Sequence, residues 1–165
     1  MEIKFTDNSI EILTELQKAK GMALEAIGMR AETYAKKELT NFPAVDTGRL
    51  RNSITHATVA DEGKQYTYTS KKGKEKTEHT DTVGSGAEKD AVYIGTNVEY
   101  AKWVELGTGI YASDGQGKKE PWVYQDDEGE YHLTQGIRPV HYLKKAATEH
   151  SDEYRQITER FCKRT

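Results

Sequence analysis

The tripeptide Asp46-Thr47-Gly48 has the residue types with which an aspartic protease carries its catalytic carboxylate. Such a protease needs two carboxylates close enough to share one proton, because two like charges at that distance cannot both ionise. The chain contains one Asp-Thr-Gly, so catalysis would require a homodimer. Arg49 follows directly, and a cation here would depress the raised pKa that the general acid needs. These residues favour a structural turn, in which Thr47 or Asp46 caps a short helix, Gly48 allows a tight backbone and Leu50 enters the core.

The other candidate motifs do not define a site for chemistry either. The loop Gly107-Thr108-Gly109 lacks the lysine and the Ser/Thr of a phosphate-binding loop. The run DDEGE at 126–130 resembles a fragment of a calcium loop without its spacing, so a hairpin turn explains it better. The histidines show no metal-ligand spacing; they are His56, His79, His132, His141 and His150. The sequence therefore predicts no catalytic, metal-binding or cofactor-binding residue.

The composition is that of a polar globular chain. Its 165 residues are 35% hydrophobic and 31% charged, with a formal net charge of −3, and the mean hydropathy is −0.85. This length fits one domain with a thin core, and the net charge argues against a protein-wide attraction to nucleic acid. The only cysteine, Cys162, excludes an internal disulfide framework. No apolar run approaches about 18 residues and the N-terminus lacks a signal-peptide pattern, which predicts a soluble protein that is not exported.

Apolar periodicity predicts three helical regions. An alanine-rich stripe recurs at threes and fours over about 8–40 and indicates one or two helices, with Gly21 and Gly28 as weak points. A short amphipathic helix is expected within 97–106. A terminal helix follows Pro139. Its expected buried face consists of Leu143, Ala146, Ala147, His150, Tyr154, Ile157 and Phe161.

Strand patterns lie between these helices. Alternation at 54–59 and the run at 91–95 predict strands. Polar hairpins are expected as insertions at about 61–90 and 111–136, outside the core. We therefore expect one α+β domain over 1–165, with a long N-terminal helix, an antiparallel β-sheet with protruding hairpins, a short middle helix and a C-terminal helix.

Three separated segments are more informative together than alone. They are VDTGRLRNSI, VYIGTNVEYAKWVELGTG and GIRPVHYLKKA, in that order along the chain. Their order resembles the phage head–tail joining or tail-component family typified by gene product ten of coliphage HK97. The matching positions are Val45, Asp46, Thr47, Gly48, Leu50, Arg51 and Ser53, then Gly95, Thr96, Tyr100, Ala101, Glu105, Gly107 and Thr108, and finally Arg138, Pro139, Leu143 and Ala146.

The resemblance implies a structural virion protein without enzymatic activity, at the neck between the portal connector and the tail tube. It implies a ring, most simply a hexamer that matches the symmetry of the tail. The implied partners are copies of itself, the connector or head-closure protein, and the tail tube or tail terminator. It implies assembly in the host bacterial cytoplasm and a final place in the virion tail or neck. It implies no membrane, no cofactor and no small-molecule substrate, and contact with DNA at most in the neck channel.

The matched residues have an expected structural role. The short middle helix should point Tyr100 or Trp103 inward and end at Gly107. Glu105 should form an ion pair that joins the segments; its candidate partners are Arg49, Arg51 and Arg138.

Two other classes of function stay open at this point. One is a homodimeric aspartic protease that uses Asp46-Thr47-Gly48 in capsid maturation. The other is a neck module that contacts DNA through the lysines of the first hairpin, Lys71, Lys72, Lys74 and Lys76. Glu75, Glu78 and Asp81 lie close by and largely cancel that charge, which favours a solvated hairpin tip.

Overall fold

The computed structural model describes residues 7–42, 48–126 and 128–163. Its longest element is helix α1 (Ser9–Thr40), with 32 residues. The helix is continuous through Gly21 and Gly28, so the helix predicted over about 8–40 is confirmed as a single one. The alanine positions form its buried side, and small side chains there let neighbouring elements approach closely.

In the part of the chain that the structure describes, six strands form three antiparallel pairs. In chain order the strands are β1 (Thr55–Ala57), β2 (Gln65–Lys72), β3 (Glu75–Thr82), β4 (Tyr93–Gly95), β5 (Trp122–Gln125) and β6 (Tyr131–Thr134). β1 pairs with β4, β2 with β3, and β5 with β6. The α+β class and the antiparallel pairing are confirmed. In place of one sheet, the described residues contain three two-stranded sheets, which need helices for stable burial because an isolated hairpin is marginal.

The described residues also contain four shorter α-helices. They are α2 (Arg49–Ser53), α3 (Ala101–Leu106), α4 (Tyr142–Thr148) and α5 (Ser151–Cys162). The single terminal helix predicted after Pro139 is wrong, because the chain turns at 149–150 and begins a second helix. Ala146 is buried as expected, whereas Ala147 is exposed.

The core lies where the C-terminal half of α1 meets α2, α3, α4 and the base of the β2–β3 hairpin. Its buried residues are Ala35, Leu39, Leu50, Ile54, Tyr68, Val98, Ala101, Val140, Tyr142 and Ala146. Tyr68 comes from the first polar hairpin, so that hairpin supplies part of the core, contrary to the expectation that it lies outside. Only its outer end protrudes, where the turn passes through Gly73 with φ 60°.

Helices α4 and α5 run back along α1. Lys145 Nζ lies 2.8 Å from a carboxylate oxygen of Glu38. Further along, the ring of His150 stacks on Tyr34, whose hydroxyl donates to Glu153. As the chain proceeds into α5, its partners on α1 therefore move toward the N-terminus of α1.

His56 attaches β1 to the opposite side of α1. Its Nδ1 lies 2.7 Å from Glu32 and its Nε2 3.2 Å from Glu25. The hydrogen bond to Glu32, followed by that to Glu25, raises the pKa of His56 against the opposing effect of burial. The ring lies over Gly28, where the absence of a side chain leaves room for it.

Candidate assembly surface

The first motif segment begins helix α2. Gly48 is the N-cap residue and has the left-handed conformation, with φ 68°, which glycine adopts without steric cost. The helix has no side-chain cap hydrogen bond at this residue. Asp46 and Thr47, which were predicted to cap the turn, lie outside the described residues. Leu50 is 7% exposed and belongs to the core.

Two side-chain contacts join the first segment to the second. The hydroxyl oxygens of Ser53 and Thr96 lie 2.6 Å apart, and Ser53 is fully buried. The guanidinium of Arg49 donates to both carboxylate oxygens of Glu99, at 3.0 and 3.2 Å. It also lies 6.0 Å from the centroid of the Tyr100 ring. The first two segments are thus held together beside the core.

The second and third segments meet where α3 ends and α4 begins. Glu105 Oε2 accepts a hydrogen bond from the backbone N–H of Leu143 at 2.9 Å, and Oε1 accepts one from Lys144 at 3.1 Å. The first N–H groups of a helix have no partner within the helix, and a carboxylate there is also favoured by the helix dipole. Glu105 therefore caps α4 from a neighbouring helix.

The predicted ion pair between Glu105 and an arginine is wrong. The three proposed arginines contact other groups: Arg49 contacts Glu99, Arg51 contacts Asn52, and Arg138 lies over the ring of Tyr111. Glu105 does join the second and third motif segments, but it does so by accepting hydrogen bonds from backbone N–H groups.

Replacing Glu105 with glutamine is expected to lower the free energy of unfolding by about 1 kcal/mol, the usual effect of losing a helix cap. The amide keeps one acceptor oxygen, so one of the two N–H groups of α4 loses its partner. Urea denaturation followed by circular dichroism measures the change. The matched control is Glu88→Gln on an exposed loop, which should leave stability unchanged. Equal stability of both variants would contradict the capping role.

The Gly107-Thr108-Gly109 loop packs against the segment that precedes Pro139. The backbone N–H of Thr108 donates to the carbonyl of Ile137 at 2.9 Å, and the N–H of Ile137 donates to the Thr108 hydroxyl at 2.9 Å. At Gly107, with φ 77°, a Cβ would lie 2.9 Å from the Pro139 ring, and at Gly109 it would lie 1.9 Å from a facing carbonyl oxygen. Both glycines permit close backbone contact.

The β5–β6 turn contains the one cluster of possible metal ligands among the described residues. Ligand atoms of Asp126, Glu130 and His132 lie within 4.8 Å of one another. Asp126 Oδ1 accepts the backbone N–H groups of Glu128 and Glu130, and Oδ2 lies 2.7 Å from His132 Nε2. The contact with His132 is the main reason that the pKa of Asp126 is lowered. These contacts close a hairpin turn, as the sequence predicts for 126–130.

The lysines of the β2–β3 hairpin lie together at its outer end, with one carboxylate among them. Lys72 lies opposite Glu75, and Lys71 lies opposite Lys76. The lysines Lys71, Lys72, Lys74 and Lys76 are all exposed. The tip is exposed to solvent, in agreement with the solvated hairpin favoured by the sequence, and Glu75 is the carboxylate among its lysines.

One exposed apolar surface lies at the start of α1. Ile10, Ile12, Leu13 and Leu16 are between 43% and 81% exposed. We call these four residues the N-terminal stripe. Helical geometry places them within about 160° of arc, so they form one continuous apolar face.

A second apolar surface lies beside α3. Tyr100, Trp103, Val104, Trp122 and Ile137 line an open pocket of about 400 Å³ together with Thr108. We call these five apolar residues the tryptophan pocket. Trp103, predicted to point inward as one of two options, is 51% exposed, whereas Tyr100 packs against the core.

Sequence reasoning did not identify either surface. Ile10, Leu13 and Leu16 belong to the apolar periodicity that predicts the first helix, but that periodicity does not show which part of the apolar face stays exposed. The available signal was length: α1 is more than twice as long as α5, which has 12 residues. The tryptophan pocket had no local signal, since Trp103, Trp122 and Ile137 come from three distant segments.

Hydrogen bonds hold the three motif segments together, and large apolar side chains stay exposed on two surfaces. Exposed apolar surfaces of this kind are typical of subunits that assemble with other proteins. The chain matches, over residues 4–107, the family model described as "Bacteriophage HK97-gp10, putative tail-component". This match covers more than half of the chain, so the protein belongs to that family of phage tail components. No curated protein and no solved structure matches it. Among the described residues, no helix has the length and apolarity to cross a membrane.

Proposed function

We propose that this phage tail protein acts as a ring subunit at the neck of the virion, where it completes the tail or joins it to the head. A hexamer is the ring expected from the symmetry of the tail. The proposed contacts are with further copies of itself, with the connector or head-closure protein on one side, and with the tail tube or tail terminator on the other. The role is structural and uses no cofactor.

The observation that carries the proposal is the exposure of large apolar side chains on two separate surfaces. Leu13 is 57% and Trp103 51% exposed. Soluble monomers seldom leave extended apolar patches uncovered, and such patches commonly mark interfaces. A subunit with two different patches is suited to a head-to-tail arrangement, and such an arrangement closes into a ring when the rotation between neighbours allows it.

The test is the molar mass in solution, measured by light scattering over a concentration series, with negative-stain images of the largest species. We expect the mass to rise with concentration toward six subunits and the images to show closed rings. A mass that stays at one subunit throughout, also when purified tail tubes are added, would contradict the proposal. Dimers that grow no further would contradict the ring.

A further inference from the structure

The N-terminal stripe extends beyond the elements that cover α1. Residues 11–18 are all exposed, and burial begins at Ala19. Ile12 and Leu16 lie on the side of the helix that buries Ala19 and Ala23 further along, and Leu13 and Ile10 extend this apolar face around the helix. Short helical segments without tertiary contacts are only marginally stable in water. The stripe therefore continues a packing face for which this chain supplies no cover among its described residues.

The tryptophan pocket has the shape and lining to receive such a face. Its rim is formed by two tryptophans, and Trp103 and Trp122 also line an adjoining pocket of about 600 Å³. Isoleucine and leucine side chains fill aromatic-lined pockets of this kind, and aromatic anchors contribute strongly to interfaces.

The charges around the two surfaces are of opposite sign. The helix segment 7–18 carries three carboxylates, Asp7, Glu11 and Glu15, and one ammonium group, Lys18. The adjoining pocket, which shares both tryptophans, is lined by two ammonium groups and one carboxylate: Lys102, Lys118 and Asp114. Lys102 Nζ lies 4.3 Å from the Trp103 ring and Lys118 Nζ 5.7 Å from the Trp122 ring. Both cations therefore stand at the rim of the pocket.

The two surfaces lie too far apart to meet within one chain. Ala35 shares the core with Ala101, the first residue of α3. At a rise of 1.5 Å per residue, Leu13 lies about 33 Å along the helix from Ala35. The stripe and the pocket therefore lie far apart in one subunit, and contact between them requires two copies.

We propose that the N-terminal stripe of one subunit occupies the tryptophan pocket of the next, and that this contact forms the ring. The inference rests on the proposed function, because it names the interface by which the ring would close. The interface is heterologous: each subunit presents its stripe to one neighbour and its pocket to the other. Glu11 and Glu15 lie on the side of the helix away from the stripe, so the opposite net charges of the two surfaces favour the approach of the subunits rather than direct ion pairs.

The test uses two exposed substitutions, Leu13→Glu in the stripe and Trp103→Glu in the pocket. Both positions are about half exposed, so each variant should keep the helix content of the native chain by circular dichroism. Each should lose the ring and give the mass of one subunit in light scattering. The matched control is Met22→Glu, which is 53% exposed on the same helix and should keep the ring.

Mixing the two variants separates this interface from other possibilities. The Leu13→Glu chain keeps an intact pocket, and the Trp103→Glu chain keeps an intact stripe. An equimolar mixture should therefore form a heterodimer of two subunits that cannot extend. An interface in which each patch contacts its own copy would give no such dimer.

The outcomes distinguish failure of this interface from failure of the ring. If the native chain forms rings and either variant also does, the interface is wrong while the ring stands. If the variants are monomeric but their mixture forms no heterodimer, or if Met22→Glu dissociates equally, the stripe–pocket contact is overturned. If the native chain never assembles, both proposals fail.

Discussion

Replacing Tyr142 with alanine is expected to lower the free energy of unfolding by about 3–5 kcal/mol, the usual range for removing a large buried aromatic side chain. Tyr142 has no exposed surface and is among the largest fully buried side chains of the described residues. Burial, the largest cause, raises the pKa of its hydroxyl. Small domains have a total stability of only about 5–15 kcal/mol, so this one change removes much of it. Urea denaturation at a fixed low protein concentration measures the loss.

Two control variants test whether the loss of stability comes from packing of the Tyr142 ring. One removes only the hydroxyl group, and the other removes an exposed tyrosine. The hydroxyl of Tyr142 donates to the carbonyl of Ala101 over 3.5 Å, which is long for a hydrogen bond. Tyr142→Phe should therefore cost about 1 kcal/mol or less. Tyr131 is 75% exposed, and Tyr131→Ala should change stability little. A loss for Tyr142→Ala no larger than that for Tyr131→Ala would refute the central position of Tyr142 in the core.

The elements that the sequence predicts well are those with local signals. Helix α1 follows from the apolar stripe over about 8–40, and the two hairpins follow from turn residues between alternating strands. The short helix expected within 97–106 is observed as Ala101–Leu106, and Gly107 ends it. In each case, residues within one or two turns of each other determine the structure, so no tertiary contact has to be known.

The incorrect predictions depend on contacts between distant segments or on single backbone angles. The sequence predicts an ion pair between Glu105 and an arginine because opposite charges attract. In the structure, two backbone N–H groups at the start of α4 donate to the Glu105 carboxylate instead. Tyr142, which the predicted buried face of the terminal helix omits, is fully buried, and the residue before it, His141, has a positive φ of 54°. Gly95 matches a motif, but a Cβ there would meet nothing within 4 Å, so sterics do not explain that glycine.

The functional surfaces were hidden from sequence analysis for a related reason. Apolar periodicity predicts which face of a helix is apolar, but it does not predict which part of that face the same chain will cover. In α1 the boundary falls between Leu16, which is exposed, and Ala19, which is buried. The position of that boundary depends on how far α5 and the loop before β4 extend along α1. The boundary separates the core from the proposed interface.

The two glycines of α1 are expected to respond in opposite ways to alanine. Gly21 is exposed, and a Cβ there meets nothing within 4 Å. Gly21→Ala should therefore raise the free energy of unfolding by about 1 kcal/mol, because alanine favours helix. At Gly28 a Cβ would lie 2.4 Å from His56 Cδ2 and 2.9 Å from a methyl group of Val92. Gly28→Ala should lower stability by about 1–3 kcal/mol despite the same helix preference. Thermal and urea unfolding of both variants measure the two signs.

His56 cannot move aside easily, because both of its ring nitrogens contact carboxylates of α1, at 2.7 Å for Glu32 and 3.2 Å for Glu25. A second substitution tests this explanation. In a His56→Ala background most of the overlap disappears, so adding Gly28→Ala should cost clearly less than in the native chain. If Gly28→Ala stabilises the native chain as Gly21→Ala does, β1 does not pack on α1 as closely as described. The sign at Gly28 thus reports on the contact that joins β1, which follows the first motif segment, to the long helix.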